Sequence, residues 1–159
     1  MWAKICGMTN LPDAQHAAAC GADAVGFVLY PHSKRFLPPD QAASIARNLP
    51  PGVERVAVVV DLPEQELLHL AQSQSFDTFQ LHGDESLELV HRLTASGLRL
   101  IKAIGCPPTP GLIDQWAQNP EPDRFLLDKA SPAHGGTGEP VDWDLAARWV
   151  PALRRPVIL

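Results

Sequence analysis

The chain has 159 residues, 45% of them apolar and 19% charged, a composition that fits one globular domain with a sizeable core. Its net charge of −5 is carried with Lys and Arg scattered along the chain, which argues against a nucleic-acid or anionic-membrane surface. No run approaches the roughly 18 apolar residues of a membrane span, the N-terminal MWAKICGMTN lacks a signal-peptide core, and three cysteines without a CxxC pair fit neither a disulfide framework nor a zinc site, so a reducing cytoplasm is the expected compartment.

In chain order, a strand and a helix alternate. Ala3 to Cys6 is a short apolar run. Asn10-Leu11-Pro12-Asp13 then reads as a capped helix start, with Gly21 as the stop. Asp23 to Tyr30 reads as a second, buried strand. A helix follows from Pro38-Pro39-Asp40, its Ala42, Ile45, Ala46 and Leu49 at the spacing of one helical face. Val53 to Val60 is a β-branched strand. Asp61-Leu62-Pro63-Glu64 has capping-box spacing and leads a helix that turns Leu67, Leu70 and Ala71 inward. Asp77 to Leu81 is the fourth strand, and Asp84 is the expected cap of a helix carrying Leu87, Val90 and Leu93. Leu98 to Ile104, Asp123 to Asp128 and Pro156 to Leu159 complete seven strands. The helices between them fall around Ile113–Ala117 and Leu145–Trp149.

Strands apolar on both faces and joined by helices predict a parallel α/β sheet with right-handed crossovers. An open doubly wound sheet and a (β/α) barrel both satisfy this. The lack of G-x-G-x-x-G after any strand weakens a dinucleotide fold, and the short repeat is close to barrel spacing. In either case functional residues belong at carboxyl strand ends. Those ends supply Cys6-Gly7, Ser33-Lys34-Arg35, Gln80-Leu81-His82-Gly83, Lys102, Asp128 and a loop from Gly135 to Gly138.

Each of these has a structural alternative. A buried Cys is usually a small hydrophobe, but Cys6 ends a strand before a Gly that admits a ligand. Cys20 reads as core and Cys106 as an incidental loop residue. Arg35 is either a surface residue or a planar fork for a carboxylate. His82 fits a structural hydrogen-bonder better than a catalyst. Lys102 either meets a charge partner inside or snorkels outward. Asp128 is a partly desolvated acid or a loop cap. The glycine loop either covers a ligand with backbone N–H groups or simply turns. The tryptophans read as packing residues.

Taken together, KICGMTN, GADAVGFV, PHSKRFLPP, QLHGDE, LIKA, LLD and GGTGEPVDW, in that order, resemble the phosphoribosylanthranilate isomerase family across the whole chain. The resemblance implies a (β/α)8 TIM-barrel type fold, of which this chain would hold about seven strands and six helices in one domain. It implies an Amadori rearrangement of N-(5-phosphoribosyl)anthranilate to the aminodeoxyribulose phosphate in tryptophan biosynthesis, without metal or cofactor. The implied partner is this small phosphosugar-anthranilate substrate, with no nucleic acid and no membrane. By resemblance Cys6 is the general base and Asp128 the general acid, and Arg35 holds the anthranilate carboxylate. Gln80, His82 and Gly136 join them as substrate-binding residues. The base requires a thiol shifted toward neutrality by a cationic setting, and the acid a carboxyl raised by burial.

The resemblance also implies phosphate loops after strands seven and eight. The chain reaches Leu159 where the first would begin, so an incomplete barrel is the expectation. A non-catalytic barrel fragment that needs a complementing segment or partner is the alternative. The related isomerase of histidine biosynthesis relies on paired aspartates, and Cys6 stands against it. The sequence sets no oligomeric state.

Overall fold

β-branched and aromatic runs become strands, and amphipathic stretches become helices, in the predicted order. The computed structural model describes residues 1–119, 122–129 and 143–159. Along the chain these form β1 (Lys4–Cys6), α1 (Leu11–Ala19), β2 (Ala24–Val28), α2 (Pro39–Arg47), β3 (Glu54–Val59), α3 (Glu64–Gln72) and β4 (Thr78–Leu81). They continue as α4 (Leu87–Ala95), β5 (Arg99–Cys106), α5 (Leu112–Gln118), β6 (Arg124–Lys129), α6 (Trp143–Trp149), a 3-10 turn (Val150–Leu153) and β7 (Val157–Ile158). The chain divides into two compact units, Met1–Gln80 and Leu81–Leu159.

In the first unit strand order follows chain order. β1 runs parallel to β2 with Cys6 opposite Gly26, and β2 runs parallel to β3 with Gly26 opposite Val56. Every residue of β2 is buried, which explains its continuous apolar run. Phe27, Phe76 and Phe79 form an aromatic chain with centroids 6.2 and 6.3 Å apart. All three are buried, each such side chain stabilising by about 1.5–3 kcal/mol. Asn10 caps α1 by accepting the Asp13 N–H at 2.9 Å, and Gly21 ends the turn at φ +90°. In the second unit β5, β6 and β7 are parallel and again in chain order. Their core contains Leu100, Ile101, Phe125, Leu127 and Leu153, with Trp116 edge-on to Phe125 at 5.9 Å.

One device recurs at the amino ends of the strands. Asp23, immediately before β2, accepts the Ala3 N–H at 2.7 Å and donates its own N–H to the Ala3 carbonyl at 2.9 Å. Asp77, before β4, does the same with Arg55 at 2.8 and 2.8 Å. In the second unit Asp123, before β6, does so with Leu100 at 2.7 and 2.9 Å. Each carboxylate closes the ladder below its first strand residue and fixes register. Asp77 also grips the Arg55 side chain bidentately, at 2.8 and 2.6 Å. Those bonds push the Arg55 guanidinium above its ordinary range, with partial burial acting in the opposite sense.

Several local expectations change. Asp61 does not cap α3: it lies at φ +48°, and Pro63 takes the cap position without a side-chain bond to the helix. Ser86 rather than Asp84 caps α4, accepting the Leu89 N–H at 3.2 Å. Asp84 precedes the cap by two residues and is exposed. Cys20 is exposed because it falls on the outer side of the last turn of α1, beside His16. Cys106 is buried because β5 runs two residues further than expected and ends on it. Trp143, at the start of α6, is exposed rather than packed.

Candidate active site

In the first unit the site is built by leaving out side chains. Cys6 ends β1 opposite Gly26, and a Cβ on Gly26 would lie 2.8 Å from the Cys6 sulfur. Only glycine leaves that space to the thiol. The chain then turns over Gly26, whose carbonyl accepts the N–H groups of Gly7 and Met8 at 2.8 and 3.0 Å. Gly7 adopts φ +88°, and a Cβ there would come within 2.5 Å of the Arg35 Cδ. The Arg35 stem therefore lies across the bare Gly7 backbone, and its Nη1 donates to the Cys6 carbonyl at 3.0 Å.

The segment carrying Arg35 is tied back to β2. Val28 bridges Phe36, and the Leu37 N–H reaches the Val28 carbonyl at 2.9 Å. Ser33 accepts the Arg35 N–H at 3.1 Å. Lys4 sits two residues before Cys6, on the same side of the strand by alternation. Its ammonium donates to the buried Gln80 amide oxygen at 2.7 Å. Gln80 is thus a buried partner of Lys4.

In the second unit the site is built from charge. Asp128 stands next to last in β6, opposite Gly105. Its Oδ1 accepts the Lys129 N–H at 2.8 Å, and its Oδ2 lies 3.3 Å from His82 Nε2. The Asp128 side chain is 32% exposed, so hydrogen bonding rather than deep burial defines its surroundings. Lys102 is buried and meets Glu85 at 2.8 Å. Of the two sequence readings for Lys102, the inward one with a charge partner holds.

The structure therefore joins Cys6 to Arg35 in one unit and His82 to Asp128 in the other. Gly136 and its glycine loop lie outside the described residues. Sequence reasoning missed Gly26 and Glu85. Gly26 sat within an apolar strand and carried a signal only in register with Cys6. Glu85 could be found as an acidic residue close behind His82, with one basic residue, Lys102, breaking an apolar strand downstream.

The sequence description of N-(5'phosphoribosyl)anthranilate (PRA) isomerase matches residues 3–159. The chain belongs to this family. An N-(5'-phosphoribosyl)anthranilate isomerase of Rubrobacter xylanophilus is 44% identical over 146 residues, which cover 91% of this chain and 70% of that protein. The crystal structure of phosphoribosyl anthranilate isomerase from Thermotoga maritima superposes with a TM-score of 0.85 and 38% identity, over 99% of this chain and 77% of that one. A phosphoribosyl anthranilate isomerase in complex with reduced 1-(o-carboxyphenylamino)-1-deoxyribulose 5-phosphate matches at TM-score 0.81 and 36% identity, over 99% of this chain and 75% of that one. The fold is accordingly of the (β/α) TIM-barrel type, represented here by seven strands and six α-helices among the described residues. Among those residues no helix is long and apolar enough to cross a membrane.

Proposed function

We propose that this isomerase divides its chemistry between Cys6 as general base and Asp128 as general acid, with Arg35 holding the substrate's aromatic carboxylate. The reaction is the Amadori rearrangement of N-(5-phosphoribosyl)anthranilate to 1-(2-carboxyphenylamino)-1-deoxyribulose 5-phosphate in tryptophan biosynthesis. Asp128 gives its proton to the ring oxygen as the C1–O bond breaks, and the anthranilate nitrogen lone pair forms the C1=N bond. Cys6 then removes the proton from C2. The C2–H electrons form C1=C2 and the imine electrons return to nitrogen, giving an enolamine. Loss of the C2 hydroxyl proton and protonation at C1 complete the ketone.

The observation that carries this reading is the Arg35 Nη1 bond to the Cys6 carbonyl at 3.0 Å. The anthranilate carboxylate is ortho to the nitrogen on C1, so only a few atoms separate it from the C2 proton. A base and a carboxylate anchor that serve this substrate must be close neighbours, and Cys6 and Arg35 are. The planar Arg fork matches a carboxylate. Gln80, His82 and Gly136 belong to the same proposal as substrate-binding residues. One barrel domain, acting in the cytoplasm on this small phosphosugar alone, belongs to it too.

Cys6→Ser and Asp128→Asn test the assignment. Substrate consumption, followed by loss of its fluorescence, should slow by about 10²–10⁴-fold in each variant, with the fold retained. Near-normal turnover in either variant overturns that residue's role.

A further inference from the structure

We propose that the buried Lys102–Glu85 pair is a positioning device for the acid: it fixes the backbone around His82, and His82 orients the Asp128 carboxylate. The inference rests on the acid role proposed above for Asp128.

An ammonium has three N–H donors, and Lys102 meets three acceptors. Its Nζ lies 2.6 Å from the Gly83 carbonyl, 2.8 Å from Glu85 Oε2 and 3.4 Å from the Leu81 carbonyl. Glu85 in turn accepts the Gly83 N–H on both oxygens, each at 3.1 Å. Both polar groups of the Gly83 backbone, and the carbonyl of Leu81, are therefore held by one ion pair. The residue between Leu81 and Gly83 is His82. With its flanks fixed, its ring has only side-chain torsions left, and Nε2 rests 3.3 Å from Asp128 Oδ2. The other Asp128 oxygen is already occupied by the Lys129 N–H. When Asp128 gives up its proton, the carboxylate that remains has the Lys129 N–H on one oxygen and His82 Nε2 beside the other.

Stability alone does not account for the pair. Its side chains are 5% and 1% exposed, and burying two charges costs several kcal/mol that their attraction does little more than offset. Well-packed apolar residues often serve as well or better. A satisfied buried network does, however, select a single arrangement of what it touches, and supporting contacts of this kind hold reacting groups to geometry.

The test is the double substitution Lys102→Met with Glu85→Gln in the full chain. It removes both charges and keeps an acceptor for the Gly83 N–H. The readouts are the His82 Nε2–H signal by NMR, the melting temperature, and kcat against KM. The unsubstituted chain should show a His82 Nε2–H signal that Asp128→Ala, which removes the acceptor, abolishes. The double variant should melt within a few degrees of it and lose the same signal. Its kcat should fall about 10- to 100-fold, the usual cost of losing an outer supporting contact, a larger change than any rise in KM. A folded double variant with an intact His82 signal and unchanged kcat overturns the proposal. Lys102→Arg guards against failure to fold, because it keeps the charge pair but replaces three-point donation by a planar fork. It should also weaken the His82 signal and kcat, and native values for both overturn the proposal. If Asp128→Asn turns over normally, the acid assignment fails, and the NMR comparison still decides whether the clamp governs His82.

Discussion

Met1–Gln80 and Leu81–Leu159 hold the residues proposed for the chemistry by opposite means. In the first unit Cys6 and Arg35 occupy space that Gly26 and Gly7 leave empty. In the second, Asp128 is held by polar contacts that lead through His82 to a loop gripped by a buried ion pair. A thiol and a guanidinium stem need room, and a carboxylate needs its lone pairs directed. The first unit should therefore be sensitive to added atoms and the second to lost charge.

The largest effect should come from Lys102→Met alone. It strands the Glu85 carboxylate in the interior, and urea denaturation should show a loss of about 3–5 kcal/mol. A loss under 1 kcal/mol would mean that Glu85 reaches water and that the second unit is not charge-built. Next is Gly26→Ala, one added methyl. Its Cβ would meet the Cys6 sulfur at 2.8 Å, so the thiol must move, and turnover should drop about 10²-fold, the scale of a 1 Å misplacement. Unchanged kinetics would show that Cys6 has slack. The aspartate locks sharpen the comparison. Asp123→Ala takes the acceptor from a part-buried Leu100 N–H and should cost about 1–3 kcal/mol. Asp23→Ala, whose bond to Ala3 is exposed, should cost less in the same denaturation series. Smallest is Asn10→Ala, which removes the α1 cap for about 1 kcal/mol. A melting curve identical to the parent would show that the cap is redundant.

The same contrast governs what was legible in the sequence. Strand and helix order could be read because apolar runs alternate with helical spacing. Cys6 could be singled out because a Gly beside a strand end marks an opening, and Arg35 because it lies just past the carboxyl end of a strand. Asp23, Asp77 and Asp123 read as first strand residues but act as register locks just outside, since a carboxylate bonding across to another strand leaves no periodic trace. Glu85 escaped for a related reason. Its role depends on Lys102, 17 residues away, and a buried pair is visible only once both chain segments meet. Cys20 was misplaced because an alanine-rich helix hides which face is buried.

The central claim is that proton removal from C2 belongs to Cys6 and ring opening to Asp128. The deuterium isotope effect on turnover, with substrate deuterated at C2, separates the two steps. In Gly26→Ala the displaced thiol should make C2–H cleavage limiting, so the effect should rise. In Asp128→Asn slow ring opening should mask it, so the effect should fall toward unity. An isotope effect that rises in Asp128→Asn and stays flat in Gly26→Ala would contradict the account.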